Sequence, residues 1–266
     1  MELLRGVPQL DTLKRGFIKH AVSGLYYLVS SLDSRLNMLV LNYGFDDGKE
    51  IPLDPQERVY RYRLAMYHHV ASGVDLNGKD VLEVSSGRGG GAAYIARHFN
   101  PRSIVGIDLS RKAVQFCQRY YDVAGLSFKV GDAENLEFKD NSYEVVVNIE
   151  ASHNYPDKRR FIKEVHRVLK PSGYFLFADM RPKAKIEQLR ELLRRSGFRM
   201  VSEEDITPNV LSSLNIDNDQ KLSLIDQSIP RFLRRPFSTF AGMKGTRFYN
   251  QLQSGELSYF NMVLQK

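Results

Sequence analysis

The sequence predicts an α/β fold built on one mostly parallel β-sheet with helices on both faces. Two observations support this prediction. Short runs rich in β-branched and aromatic residues alternate with helical stretches from Asp80 to about residue 206, and this alternation is typical of parallel βαβ units with right-handed crossovers. The first run is followed at once by a glycine-rich turn, 87–91, as expected for a close strand-to-helix connection.

Seven runs have the length and composition of strands. They are 80–85, 103–109, 126–131, 143–150, 173–179, 198–205 and 256–266. Helices are predicted between them at 92–99, 111–121, 158–170 and 186–196. The helix at 158–170 is expected to end at Pro171-Ser172-Gly173, because proline and glycine terminate helices.

Two regions depart from the alternation and divide the chain. Residues 1–75 are predicted to be an N-terminal helical extension, since apolar residues from Phe17 to Leu39 recur every three or four positions. Residues 207–250 are predicted to be a late helical insertion that acts as a lid. The core would then be 76–206, and 251–266 would contain its final strand.

Composition limits the classes of protein. The 266 residues are 42% hydrophobic, enough for one large domain or a domain with a lid. The single cysteine, Cys117, excludes an internal disulfide framework and a cysteine-rich zinc site. There is no signal-peptide pattern and no apolar run long enough to span a bilayer. We therefore expect a cytoplasmic protein with at most peripheral membrane contact.

The net charge is +7, and basic residues cluster at 194–199 and 231–235. An anionic membrane surface, an acidic carrier protein or nucleic acid would suit such clusters, and a merely solvated basic face is an equal alternative. No RNA-binding module is visible, so nucleic acid is not an expected partner. Nothing in the sequence predicts an oligomeric state.

The glycine-rich turn could bind several kinds of ligand. A phosphate-binding loop would need Lys followed by Ser or Thr, which "GRGGGAAY" lacks. A dinucleotide site is disfavoured because the preceding strand carries Glu83, an anion where the pyrophosphate would lie. A carboxylate suits a cation or hydroxyl donor better. S-adenosylmethionine carries an ammonium and a sulfonium and no phosphate.

Further acids follow the next strands. Asp108 ends the second strand, where a carboxylate can accept both ribose hydroxyls. Asp132, Ala133 and Glu134 follow the third strand, where they could contact the adenine. Because the carboxyl ends of parallel strands share one edge of the sheet, these acids together predict an S-adenosylmethionine site there.

Several motifs resemble a known superfamily. "VLEVSSGRGGG", "GIDLS", "GDAENLEF" and "VLKPSGYFLFAD" resemble motifs of the class I, Rossmann-like S-adenosylmethionine-dependent methyltransferases. With "NIEASHNYP", "ADMRP" and "GELSYF", the chain looks like the phthiotriol/phenolphthiotriol dimycocerosate methyltransferases and related sugar and polyketide O-methyltransferases. One departure is Ser85, where the superfamily usually has glycine.

This resemblance implies a Rossmann-like seven-stranded sheet, S-adenosyl-L-methionine as cofactor, and O-methylation of a lipid or natural-product hydroxyl. Tyr43 lies before the core, where residues of this family close over the methionine end of the cofactor. The predicted cofactor site comprises Tyr43, Glu83, Ser85, Gly87, Gly89, Asp108, Leu109, Asp132, Ala133, Glu134 and Asn148.

His153, after the fourth strand, is predicted to be the catalytic base, and Asp179 to orient its imidazole. A histidine with the ordinary pKa of about 6.5 is largely neutral at pH 7 and can accept a proton. Alternatively, His153 positions the acceptor or bonds the loop backbone, and Asp179 is a helix cap or, with Glu150, part of a divalent-ion site. No metal site is predicted as such.

The acceptor would contact Glu150, Asn154, Phe232 and Phe240, and we expect it to be a lipophilic small molecule whose hydroxyl is methylated by in-line displacement. The main alternative is C-methylation of a lipid, sterol or quinone, which would not need His153. A non-catalytic cofactor-binding scaffold is disfavoured by the complete set of acids and by His153.

Overall fold

The computed structural model describes residues 39–228, 234, 238 and 242–266, with side chains for all of these except 219–228. The predicted apolar helical stripe before Leu39 therefore lies outside the described residues. So do Phe232, Phe240 and, apart from Arg234, the basic cluster at 231–235.

The described residues form a seven-stranded sheet. Its strands are β1 (Asp80–Val84), β2 (Ser103–Asp108), β3 (Leu126–Val130), β4 (Tyr143–Ile149), β5 (Leu169–Pro182), β6 (Arg199–Asp205) and β7 (Leu257–Gln265). The strand order is β3-β2-β1-β4-β5-β7-β6. Strands β1 to β5 are parallel to one another, and β7 runs antiparallel between β5 and β6. The predicted mostly parallel α/β fold is confirmed.

Helices cover both faces of the sheet. They are α1 (Arg61–Ala71), α2 (Gly90–His98), α3 (Arg111–Tyr120), α4 (Lys158–Val168), α5 (Ile186–Arg195), α6 (Thr207–Ser228) and α7 (Arg247–Gln253). Buried residues of α4 and α5 share one apolar core, whereas those of α1, α2, α3, α6 and α7 share the other. Val81 and Leu82 of β1 belong to opposite cores, because successive side chains of a strand point to opposite faces. None of the helices described has the length and apolarity to cross a bilayer.

The fifth strand differs from its prediction. The helix before it ends at Val168, and β5 runs from Leu169 through Pro171-Ser172-Gly173 to Pro182. Antiparallel pairing with β7 extends over Tyr174 to Pro182, and this long-range pairing prevails over the local breaker residues. Parallel pairing with β4 stops at Ala178, but pairing with β7 continues to Pro182, so Asp179 does not end the strand. It is the first residue beyond the point where β4 and β5 separate.

A strap formed by residues 39–48 crosses the carboxyl edge of the sheet. The Gly90 amide donates to the Leu39 carbonyl at 3.2 Å, and the Phe45 amide donates to the Tyr62 carbonyl at 2.9 Å. The side chains of Asn209 and Ser212 on α6 donate to Asp46 at 3.0 and 2.6 Å. These contacts hold the strap against α1, α2 and α6.

Candidate active site

A cleft lies at the carboxyl ends of β1, β2, β3 and β4, with a volume of about 1000 Å³ including the space that opens to solvent. Nine predicted site residues line it: Ser85, Gly87, Asp108, Leu109, Asp132, Ala133, Glu134, Glu150 and Asn154. Tyr43, Glu83, Gly89, Asn148, His153 and Asp179 are not among the lining residues. The sequence did not point to several others that line the cleft, namely Leu39, Val40, Leu41, Tyr67, Tyr155 and Pro156.

The glycine-rich turn brings backbone to the floor of the cleft. Gly89 has a φ of +78°, and a Cβ there would lie 2.6 Å from the ring of Phe128. A Cβ at Gly91 would lie 1.9 Å from the ring of Tyr67. Only glycine fits at these two positions, so the turn requires its glycines for close packing as well as for its left-handed backbone.

Glu83 is buried beneath this turn, with 1% of its surface exposed. Its Oε1 accepts a hydrogen bond of 2.7 Å from the Tyr67 hydroxyl, and its Oε2 has no hydrogen-bond partner among the described residues. Burial, reinforced by the nearby Asp108, raises the pKa of Glu83 to about 7. A buried acceptor without a partner is costly, and a cationic or N–H donor ligand would satisfy it.

Asp108 fixes the turn from the second strand. Its Oδ2 accepts from the Gly87 amide at 3.0 Å, and its Oδ1 accepts from the Ser110 amide at 2.8 Å. Burial raises the pKa of Asp108 despite these two bonds. Each carboxylate oxygen can accept a second bond, so Asp108 can still receive hydroxyl donors from the cleft. The next residue, Leu109, is 47% exposed and offers an apolar surface to a planar group.

The acids after the third strand join two loops. Asp132 accepts a hydrogen bond of 2.9 Å from the Glu134 amide, and Glu134 accepts one of 2.9 Å from the Asp157 amide. Ala133 lies between them and is buried. These contacts connect the loop after β3 to the start of α4, and they shape the wall of the cleft.

Tyr155 anchors the residue that departs from the superfamily pattern. Its hydroxyl lies 2.5 Å from the Ser85 Oγ and accepts from the Asn148 Nδ2 at 3.0 Å. Asn148 Nδ2 also donates to the Val84 carbonyl at 2.8 Å. Ser85 has a φ of +64°, a conformation that favours glycine. The hydrogen bond to Tyr155 holds the serine in that conformation, and Asn148 supports the turn both through Tyr155 and through its direct bond to Val84.

His153 and Asp179 form a dyad beside the cleft. The His153 Nδ1 lies 2.7 Å from the Asp179 Oδ1, and the His153 amide donates to the Asp179 Oδ2 at 2.9 Å. Because an ionised carboxylate can only accept, Nδ1 carries a proton in this pair, and in the neutral form of the imidazole the lone pair is then on Nε2. The imidazole is about one-quarter exposed, whereas Asp179 is fully buried.

Asp179 remains ionised although it is buried. Burial alone would raise its pKa, but the His153 imidazole, the Arg181 guanidinium and the Ser152 hydroxyl hold the pKa of Asp179 well below its usual range. Arg181 lies 3.1 Å from the Asp179 Oδ2, and the Ser152 Oγ donates to the same oxygen at 2.6 Å. Because a guanidinium already neutralises this carboxylate, a divalent-ion site at Asp179 and Glu150 is disfavoured.

Asn154 lies between the dyad and the cleft. Its Nδ2 lies 2.8 Å from the His153 Nε2, and Asn154, unlike His153, lines the cleft. The Asn154 amide therefore occupies the lone pair that a catalytic base would use. The amide must turn away, or exchange this bond for one to the acceptor, before Nε2 can take a proton.

Glu150 connects the cleft to the strap. It is buried, has a φ of +50°, and its Oε1 accepts a hydrogen bond of 2.7 Å from the Tyr43 amide. Burial raises the pKa of Glu150 to about 7. The ring of Tyr43 stacks on Phe248 of α7, with centroids 4.3 Å apart. Tyr43 thus fixes the strap over Glu150, and its neighbours Leu39 to Leu41 line the cleft.

Another acidic cluster lies among the described residues. One oxygen or nitrogen from each of Asp54, Glu57 and His98 lies within 4.8 Å of the others. Arg97 donates to Glu57 at 2.9 Å, and the His98 Nε2 lies 2.9 Å from it. Glu57 is therefore already paired within the protein, and its role is to join the 3₁₀ helix at Pro55–Tyr60 to α2.

Comparison with known proteins identifies the family. Residues 82–177 match a methyltransferase domain family. The chain is 42% identical over 217 residues to the phthiotriol/phenolphthiotriol dimycocerosates methyltransferase of Mycobacterium tuberculosis H37Rv, covering 82% of this chain and 80% of that protein. It belongs to the class I S-adenosylmethionine-dependent methyltransferases. The methyltransferase is also 36% identical over 225 residues to the fatty-acid O-methyltransferase of Mycolicibacterium smegmatis, covering 84% and 81% of the two chains.

Among solved structures, the methyltransferase is similar to a putative sarcosine dimethylglycine methyltransferase from Galdieria sulphuraria. The TM-score is 0.71 at 16% identity, and the match covers 89% of this chain and 98% of the other. Likeness at this identity supports the fold. It does not identify the methyl acceptor.

The cleft suits the cofactor of the family. S-adenosylmethionine supplies a methyl group already activated on a sulfonium, together with an ammonium. We propose that the Glu83 Oε2, which has no hydrogen-bond partner among the described residues, receives the ammonium, that Asp108 accepts from the ribose hydroxyls, and that the exposed Leu109 contacts the adenine.

Cofactor binding should release a proton at mildly acidic pH. At about pH 6, below the pKa of about 7, free Glu83 is mostly protonated, and a bound ammonium would favour its charged form. Calorimetry with S-adenosylhomocysteine, in buffers of different ionisation enthalpy, should show release of up to one proton at pH 6 and none at about pH 9.

Glu83→Gln should abolish this release and weaken binding. Glu150→Gln is the matched control, because it removes the other buried acid with a pKa of about 7. Equal proton release by the parent and Glu83→Gln would show that Glu83 does not receive the ammonium.

Proposed function

We propose that the methyltransferase O-methylates an uncharged hydroxyl group of a lipophilic small molecule. The observation that carries this proposal is the dyad of His153 and Asp179, whose hydrogen bond of 2.7 Å leaves Nε2 as the acceptor of a proton. An alcohol is a poor nucleophile at neutral pH, so a base that removes its proton as the new bond forms accelerates the reaction.

In this mechanism the residues of the dyad have separate tasks. His153 Nε2 takes the hydroxyl proton from the acceptor once Asn154 has released it. Asp179 holds the imidazole by Nδ1 and stabilises the imidazolium that forms. Arg181 and Ser152 keep the Asp179 carboxylate ionised and fixed. Asn154 is well placed to hydrogen-bond the acceptor oxygen beside Nε2.

The charge of the cleft favours a neutral acceptor over a carboxylate. Its described lining contains four acids, Asp108, Asp132, Glu134 and Glu150, and no Lys, Arg or His. Of these, Glu150 is the acid expected to contact the acceptor, and its ionised form would repel a carboxylate but not a hydroxyl. One relative is named as a phthiotriol methyltransferase and another as a fatty-acid methyltransferase. Repulsion by Glu150 favours a hydroxyl over a carboxyl group as the methyl acceptor of this chain.

Apolar residues favour a lipophilic body on the acceptor. Leu39, Val40, Leu41 and Ile149 line the cleft, and burial of alkyl groups against them is favourable. We further propose that residues 207–250, together with the strap, cover this part of the cleft as a lid over a cytoplasmic active site.

The test is a direct comparison of acceptors. The purified protein with S-adenosylmethionine should methylate a long-chain secondary alcohol at least about tenfold more efficiently than a fatty acid of equal chain length, since repulsion of about 1.4 kcal/mol is a factor of ten. Mass spectrometry should show one added methylene unit, and fragmentation should place it on oxygen. Preference for the fatty acid, or a methyl group on carbon, would contradict the proposal.

A further inference from the structure

The basic residues of the methyltransferase differ in whether acids neutralise them. Arg190 contacts Glu187 and Glu203, both at 2.9 Å, and Arg194 and Arg195 both pair with Glu191. The basic cluster that the sequence shows at 194–199 is therefore partly balanced, because Arg194 and Arg195 share Glu191 and Arg199 bonds to the uncharged Gln265. It lies at the edge of the sheet away from the cleft, so it is a poor candidate for a docking surface that presents the cleft to a partner.

A second set of cations has no such balance. We call Arg159, Arg160, Lys183 and Lys185 the basic rim. All four are exposed, and none makes an ion pair with another residue in the described part of the chain, although the charge of Arg160 contributes to lowering the pKa of Glu164 on the same helix. Arg159 and Arg160 lie in the first turn of α4, whereas Lys183 and Lys185 lie in the turn before α5.

The topology places the basic rim beside the catalytic dyad. Strands β4 and β5 are parallel neighbours, and α4 and α5 pack on the same face of the sheet, so the starts of both helices lie at the carboxyl edge. His153 is in the loop before α4, and Asp179 precedes the turn before α5. Lys158 donates to the His153 carbonyl at 3.3 Å. Burial lowers the pKa of Lys158, and the nearby charge of Lys185 adds to this effect.

The acids around the rim are already engaged. The Asp157 Oδ1 caps α4 through the Arg160 amide at 3.0 Å, Glu134 accepts from the Asp157 amide, and Glu187 pairs with Arg190. Bonds to backbone amides leave the charges of Asp157 and Glu134 in place, but the four cations of the rim outnumber these two acids and face solvent as a local excess of positive charge. The cleft next to them is lined by acids, so the two surfaces differ in sign.

We propose that the basic rim docks the methyltransferase on an anionic phospholipid membrane, with the mouth of the cleft turned towards the bilayer. The proposal rests on the proposed function, because a lipophilic acceptor resides in a membrane. Clustered Lys and Arg side chains are attracted to anionic lipid surfaces. Without the rim, an acidic cleft would be repelled by such a surface.

The test compares two variants of equal charge. R159Q/R160Q/K183Q/K185Q removes the rim, and K139Q/R194Q/R195Q/R199Q removes the same number of charges near the opposite edge, so each lowers the net charge from +7 to +3. In co-sedimentation with vesicles of phosphatidylcholine and phosphatidylglycerol, the rim variant should bind at least about tenfold more weakly than the parent. The control variant should bind within about threefold of the parent.

Activity gives an independent measurement. With an alcohol presented in vesicles, KM of the rim variant should rise at least about tenfold, whereas kcat with a short-chain alcohol in solution should be unchanged. Equal vesicle binding by the parent and the rim variant, or equal losses in both variants, would overturn the proposal. So would binding to RNA or an acidic protein without binding to vesicles. If the parent methylates no alcohol, the proposed function fails, and the vesicle comparison still decides the role of the rim.

Discussion

Replacement of His153 by alanine should lower turnover at least about a hundredfold, because general bases of this kind contribute about 10²–10⁴-fold. The affinity for S-adenosylhomocysteine should stay within about threefold of the parent value, since His153 is not among the residues that line the cleft. Single-turnover kinetics with saturating alcohol would measure the first quantity, and calorimetry the second.

His166→Ala is the matched control for this prediction. His166 lies near the end of α4 and packs on Phe198, at the edge of the sheet opposite the cleft, so its replacement should leave turnover unchanged. Thermal unfolding of all three proteins would show whether the folded fraction is the same. If turnover of His153→Ala is close to that of the parent, the acceptor atom needs no base there, and C-methylation becomes the better proposal.

The cofactor side of the cleft could largely be predicted from the sequence. Asp108 ends one short β-rich run and Asp132 follows the next, and the carboxyl ends of parallel strands lie at one edge of the sheet. The contact between Tyr67 and Glu83 could not be predicted in this way. Tyr67 lies on α1, sixteen residues before Glu83, and nothing in its helical periodicity distinguishes a residue over the glycine turn from an ordinary core tyrosine.

The acceptor side of the cleft was harder to predict, because it depends on contacts between residues far apart in the sequence. Prolines and glycines are local signals, but the length of β5 is decided by its pairing with β7, which lies some eighty residues later. The contact between Asn154 and the His153 Nε2 depends on side-chain orientation within one turn. Tyr43 was predicted only to lie before the core and to close over the methionine end of the cofactor. The contacts of the strap with Glu150 and α6 could not be predicted, because they are all long-range.

Replacement of Asp179 by asparagine should lower turnover about 10³–10⁴-fold, more than loss of any other residue that does not touch the acceptor. The asparagine amide can donate to Nδ1, which favours the imidazole tautomer with its proton on Nε2 and removes the lone pair that accepts the proton. The side chain keeps nearly the same shape, so the loss would come from charge and tautomer. Ser152→Ala is the control: it removes the bond of 2.6 Å to the same carboxylate, preserves the tautomer, and should cost less than about tenfold.

Asp179→Asn should also lower the free energy of unfolding, by an amount that depends on pH. The pKa of Asp179 is held below its usual range in the folded protein, so its charge stabilises the fold above the unfolded pKa of about 3.9 and this contribution is lost as pH falls below that value. Asp179→Asn leaves Arg181 buried without its carboxylate, which should lower the free energy of unfolding by about 3–5 kcal/mol at pH 7. Urea unfolding of the parent and the variant, at pH 7 and in steps below pH 4, would measure the difference between their free energies of unfolding. This difference should become smaller as the parent carboxylate becomes protonated. Equal stability at pH 7 together with parental turnover would mean that Asp179 neither balances Arg181 nor sets the tautomer of His153, and the dyad would lose its part in the mechanism.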